Sequence, residues 1–117
     1  MIKYIFVLLL TGCQTTPPDL VGSWSGKVGP FKTSFTLNPD GNGIFCYSGR
    51  GKNKTEWIKY SGGIIYTERD TEIVIESLTG DVLMVEVDNF GSKKYAFYRD
   101  KHLKKASWFC RKKLKGE

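Results

Sequence analysis

Apolar and polar positions alternate in short bursts along this chain. The clearest burst is at 31–37, where Phe31, Thr33, Phe35 and Leu37 share one face and Lys32, Ser34 and Thr36 the other. That is the period-two signature of a strand with one buried and one wet face. From Leu20 onward the pattern predicts eight strands, at 20–28, 31–38, 43–48, 55–61, 63–68, 72–78, 82–88 and 93–99. In the later strands Ile73, Ile75 and Ser77 oppose Val74, Glu76 and Leu78, and Leu83, Val85 and Val87 oppose Val82, Met84 and Glu86. These strands therefore carry apolar side chains on both faces. Turn chemistry separates the runs: Pro39-Asp40-Gly41-Asn42-Gly43, Ser61-Gly62-Gly63, Thr79-Gly80-Asp81 and Asn89-Phe90-Gly91 combine glycines with Asx side chains that bond nearby backbone. Gly49 to Lys54 reads as a longer basic loop.

Strands at a regular spacing of about ten residues predict an all-β meander. A row of hairpins leaves two exposed edges unless the sheet closes, because unpaired edge groups invite association. The expected fold is a small antiparallel up-and-down β-barrel of about eight strands, with a two-layer β-sandwich as the alternative. A chain of 117 residues supports one core. A domain this short is expected to fill its barrel with its own side chains.

The first residues change the picture. Lys3 is followed by an apolar run, Tyr4 to Leu10, in the order of an export signal, and the boundary Leu10-Thr11-Gly12-Cys13 resembles the bacterial lipobox. The resemblance implies that residues 1–12 are a signal peptide cut before Cys13, which is then acylated. Two or three acyl chains on one residue anchor a protein durably, where one chain holds only marginally. Gln14, where inner-membrane lipoproteins often carry Asp, implies an outer-membrane address facing the periplasm. Residues 13–19 form a lipidated tether, since Pro17-Pro18 suits extended solvated backbone, and residues 20–117 form a single β domain with a basic C-terminal tail. The alternative, a buried first strand with Cys13 as an ordinary thiol, sits poorly with those prolines.

With Cys13 assigned, Cys46 and Cys110 remain as an even pair in an exported chain, and a disulfide is the natural reading. A reactive thiol pair or a metal site are the other options. Both lack support from a CxxC spacing or from histidines, since His102 stands alone. No Gly-x-Ser-x-Gly, zinc triad or P-loop occurs, and Glu56, Glu68, Glu72, Glu76 and Glu86 are scattered over polar faces and turn edges. The sequence assigns no catalytic residue, no metal ligand and no cofactor, and no enzymatic activity is expected.

Charge is localised. Lys101, Lys104, Lys105, Arg111, Lys112, Lys113 and Lys115 against Glu117 give residues 101–117 a net charge of +6, while residues 13–100 are nearly balanced. Interleaved with Trp108 and Phe109, these cations are candidates for contact with anionic lipid or an acidic envelope protein; a solvated terminus is the plain alternative. Nucleic acid fits the charge but not an exported, lipidated chain. Tyr47, Trp57, Tyr60, Tyr66, Tyr95, Phe97 and Tyr98 are expected mainly to fill the core, and an exposed cluster of them would mark a partner site.

Two further resemblances concern the domain. Leu20-Val21-Gly22-Ser23-Trp24-Ser25-Gly26, the segment Phe35 to Gly43 with its Asp40-Gly41 turn, and Trp57 followed by Gly62-Gly63-Ile64 resemble small bacterial lipocalin-like domains of the calycin type. In such domains the first tryptophan plugs one end of an eight-stranded barrel beneath a basic residue of the last strand. On this chain the resemblance implies Trp24 and Arg99, a stacked pair worth about 0.5–2 kcal/mol. In size and single disulfide the chain is also similar to periplasmic lysozyme-inhibitor lipoproteins, whose inhibitory Ser-Gly-x-x-Tyr loop is approached, one residue out of step, by Ser61-Gly62-Gly63-Ile64-Ile65-Tyr66. The expected function is a membrane-anchored, non-catalytic binding or structural module. A hydrolase inhibitor, with Gly49 to Lys54 or Ser61 to Gly63 as the inserted loop, and a carrier of a small apolar ligand are the alternatives.

Overall fold

The computed structural model describes residues 15–88 and 92–116; the expected signal segment, residues 1–12, and Cys13 lie outside them. A single 3₁₀ turn, Pro18–Leu20, leads into eight strands: β1 Gly22–Val28, β2 Phe31–Leu37, β3 Asn42–Gly49, β4 Lys52–Ser61, β5 Ile64–Thr67, β6 Glu72–Thr79, β7 Val82–Asp88 and β8 Ser92–Arg99. Every neighbour is antiparallel, and β1 closes on β8 through Trp24↔Arg99, Ser25↔Tyr98 and Gly26↔Phe97, so the sheet is a closed up-and-down barrel. Both edges are thereby removed. The seam needs a residue without a side chain: a Cβ on Gly26 would sit 2.5 Å from the carbonyl oxygen of Ala96.

Inward-facing positions follow the period-two pattern. Trp24, Phe35, Leu37, Ile58, Ile65, Ile73, Leu83, Val85, Val87 and Phe97 form one buried cluster within the barrel, joined by Leu20 from the 3₁₀ turn. The register shifts between Ile75 and Ser77 of β6, placing two residues against one on β7. This bulge keeps Ile75 and Leu78 packed on the core although their spacing is odd.

Two segments differ from the sequence expectation. Gly49 to Lys54 is not a long loop: β3 runs through Gly49, β4 starts at Lys52, and only Arg50 and Gly51 turn the chain. Both have positive φ, 51° and 74°, as a two-residue hairpin turn that follows the strand twist requires. The basic tail is folded rather than free. After β8 the chain turns back over the outside wall and forms α1, Trp108–Leu114, whose first turn is capped by the Ser107 hydroxyl accepting from the Cys110 N–H. A second buried cluster, Cys46, Leu103, Ala106 and Cys110, fixes this segment to the wall, with Phe109 and Leu114 packed on it.

Candidate functional site

The two ends of the barrel differ in kind. At the end where β1 begins, the Trp24 indole is fully buried and donates through Nε1 to the Leu20 carbonyl, 3.0 Å away. The Arg99 guanidinium lies 4.3 Å from the centre of the indole ring. It also donates from Nη2 to the Asp19 carbonyl at 2.6 Å and from Nη1 to the Val21 carbonyl at 3.3 Å, and pairs through Nε with Asp81 at 3.0 Å. The planar fork of arginine holds the 3₁₀ turn over the barrel while stacking on its plug. Thr16 adds a clasp. Its N–H donates to the Pro39 carbonyl at 3.0 Å and its hydroxyl to the Asn38 carbonyl at 2.6 Å, and it is buried there. The polar tether therefore ends at Thr16, earlier than the sequence suggests.

The opposite end is open, so the barrel is not filled throughout by its own side chains. A cavity of about 400 Å³ is bounded on one arc, from β6 round to β2, by Val28, Phe31, Ile73, Val87 and Phe97. On the other arc, from β3 to the turn after β5, it is bounded by Tyr47, Lys52, Lys54, Glu56 and Arg69. Glu56 is 8% exposed. Its carboxylate accepts from the Tyr47 hydroxyl at 3.4 Å and from the Arg69 backbone N–H at 3.2 Å. Burial first, and the Glu56 carboxylate next, push the Tyr47 hydroxyl above the ordinary tyrosine value. Among the described residues, ion pairs join Lys94 to Glu76 and Arg99 to Asp81, and none involves Lys52, Lys54 or Arg69.

On the outer wall Cys46 and Cys110 are joined in a disulfide spanning 64 residues. Asp100, 8% exposed, lies between barrel and C-terminal segment. It accepts from the Ser25 hydroxyl and from the N–H groups of Lys104 and Lys105, each at 2.8 Å. Burial by itself would raise the Asp100 carboxyl; the N–H of Lys105, the Ser25 hydroxyl and the N–H of Lys104 outweigh it and hold the group below the usual carboxylate range. Arg111 is turned inward, donating to the carbonyls of Leu103, Lys104 and Ala106, so its charge serves this segment. Lys101, Lys104, Lys105, Lys112, Lys113 and Lys115 are exposed, with Lys112 over the Trp108 ring at 4.7 Å and Lys105 over Tyr98 at 5.5 Å. Of the aromatics expected to be core, Phe97 is buried, whereas Trp57, Tyr66 and Tyr98 are 52%, 37% and 45% exposed.

Lys52, Lys54, Arg69, Tyr47 and Glu56 were not singled out by sequence reasoning as a site. The signal was nonetheless present: Lys52, Lys54 and Glu56 are in phase with Ile58, and register pairing opposite Gly49, Tyr47, Phe45 and Gly43 turns all four inward. Charges at inward positions near a rim look like loop residues when only polarity is read.

A closed eight-stranded barrel, plugged by tryptophan under arginine at one end and open at the other, defines a lipocalin-type binding protein. The chain belongs to the family described as "Bacterial lipocalin LPS transport optimiser YedD", whose pattern matches residues 12–114. It points to no enzymatic family. Comparison with curated proteins and with solved structures gives no match.

Proposed function

We propose that this protein is a lipid-anchored, non-catalytic lipocalin of the bacterial envelope that assists lipopolysaccharide (LPS) transport, binding through the mouth of its barrel. The observation that carries the reading is the contrast between a plugged end and an open end holding a cavity of about 400 Å³, within the size range of small-molecule sites. The transport role rests on the family description.

The lipobox-like Leu10-Thr11-Gly12-Cys13 supports acylation of Cys13 after removal of residues 1–12, and with it an outer-membrane address facing the periplasm. Because Thr16 is clasped to the turn after β2, three residue steps separate the barrel from that cysteine, a reach of at most about 11 Å. On this reading the plugged end lies close to the membrane and the mouth opens away from it. The exposed lysines of the C-terminal segment offer a second contact surface for an acidic envelope protein or anionic lipid. An apolar-ligand carrier is favoured in part by the arc from β6 to β2. For the hydrolase-inhibitor reading, both candidate loops are tight two-residue hairpin turns, Arg50-Gly51 and Gly62-Gly63.

Two variants test the proposal in cells. Cys13→Ser is expected to leave the membrane fraction, and Val28→Trp, at the rim, is expected to stay in it with the mouth obstructed. Both are expected to weaken the LPS barrier, measured as entry of large antibiotics. Retention of Cys13→Ser in membranes, or full barrier function with a folded Val28→Trp protein, would contradict the reading.

A further inference from the structure

The mouth is more polar on one side than on the other, with Phe45 the apolar residue of the polar side and Thr33 and Thr71 the polar residues of the apolar side. A fatty acid or other single-chain amphiphile is best met by an apolar depth with cations only at the rim. Here the buried carboxylate of Glu56 is level with Phe45, its register partner on β3, and Lys54 and Lys52 stand above it on the same inward face. A chain descending to that level would pass along a polar wall. A ring with one face of C–H groups and a girdle of hydroxyls suits such a lining: its C–H face would meet Phe31 and Phe97, and its hydroxyls would meet Glu56. A carboxylate offers about four acceptor positions, and Glu56 uses two, one at 3.4 Å, longer than the usual range, and one at 3.2 Å, at its long limit. Lys52, Lys54 and Arg69 are free of ion pairs among the described residues and line the same cavity, ready to meet a doubly charged anion by charge-assisted bonds.

We propose that the mouth binds a phosphorylated sugar, with Glu56 accepting from its hydroxyls and Lys52, Lys54 and Arg69 holding its phosphate. This rests on the mouth being the binding site. It identifies the part of an envelope glycolipid the barrel reads as the sugar headgroup, not the acyl chain. The same chemistry is offered by a free sugar phosphate.

The test is calorimetric titration of the full chain in nanodiscs with glucose 6-phosphate, glucose, inorganic phosphate, laurate and LPS. Glucose 6-phosphate is expected to bind at least about tenfold tighter than glucose or phosphate. Glu56→Gln, nearly isosteric, is expected to weaken it about tenfold. Lys52→Ser with Lys54→Ser is expected to bring it level with glucose. LPS binding tighter than the free sugar, and equally sensitive to Glu56→Gln, names the glycolipid as source; equal affinity names the free sugar. Laurate bound in the mouth and no sugar phosphate overturns this inference and leaves the mouth as a binding site. Failure of every probe overturns both.

Discussion

Removing the disulfide is the perturbation whose size follows most directly from the structure. Cys46 and Cys110 close a loop with a sequence separation of 64, and the chain-entropy relation for a loop of that length gives about 4 kcal/mol of destabilisation of the unfolded ensemble. Both sulfurs are fully buried in the small outer cluster. Cys46→Ala with Cys110→Ala therefore keeps the site apolar, where serine would strand a hydroxyl. For a domain near a hundred residues this loss lowers the melting temperature by about 15 to 30 °C. The barrel closes without the bond, whereas α1 has seven residues and is too short to persist without packing. Thermal unfolding by circular dichroism, run on the double variant and on the parent with and without reductant, measures the first effect. Hydrogen exchange over 107–114 measures the second. A melting temperature within about 5 °C of the parent, with α1 still protected, would show that packing of Leu103, Ala106, Phe109 and Leu114 holds the segment and that the entropic argument is wrong.

Asp100→Asn removes a carboxylate from three hydrogen bonds and is expected to cost about 2 to 3 kcal/mol, read as a shift in the denaturant midpoint. Because Asp100 is held below the usual carboxylate range in the fold, its stabilisation is complete above the unfolded carboxyl value of about 4 and is lost as pH falls through the lower folded value. The variant's stability is expected to fall less steeply than the parent's as the solution is acidified from pH 5 toward 2, and identical slopes would remove Asp100 from the account. Arg99→Lys keeps the charge but not the planar fork that meets Asp19, Val21 and Asp81. It is expected to cost about 1 to 2 kcal/mol and to blue-shift or broaden the Trp24 signal in near-ultraviolet circular dichroism; no change in either would mean that the plug needs only a cation.

Most of the barrel was legible because its strands obey a two-residue period and glycine-rich turns separate them. The alternation of Phe31, Thr33, Phe35 and Leu37 is reproduced inside the wall, and Trp24 and Arg99, paired through a resemblance, are register partners on β1 and β8. The β3–β4 hairpin was less legible, since Lys52 and Lys54 face inward at a rim where water still reaches them, and polarity alone assigns such residues to a loop. Helix α1 was missed for a different reason. Its apolar residues, Phe109, Cys110 and Leu114, are few and its stability is tertiary, supplied by the disulfide, the Ser107 cap bonded to Ser48 at 2.8 Å, and the inward Arg111. The Thr16 clasp depends on backbone carbonyls of a turn twenty-two residues away, which no local pattern announces. The candidate site was the least legible part, because its apolar arc is completed only when β8 closes on β1, and its polar arc is built from charged residues at inward positions of the rim.

On the proposed reading the protein works through its open mouth, turned away from a membrane to which acylated Cys13 holds its plugged end. Photo-crosslinking in living cells tests this, with the reactive residue placed at Lys52 on the rim or at Asn42, the first residue of β3 at the plugged end. Envelope adducts containing LPS or its transport machinery are expected from position 52 and none of these from position 42. Such adducts from position 42 alone would contradict it.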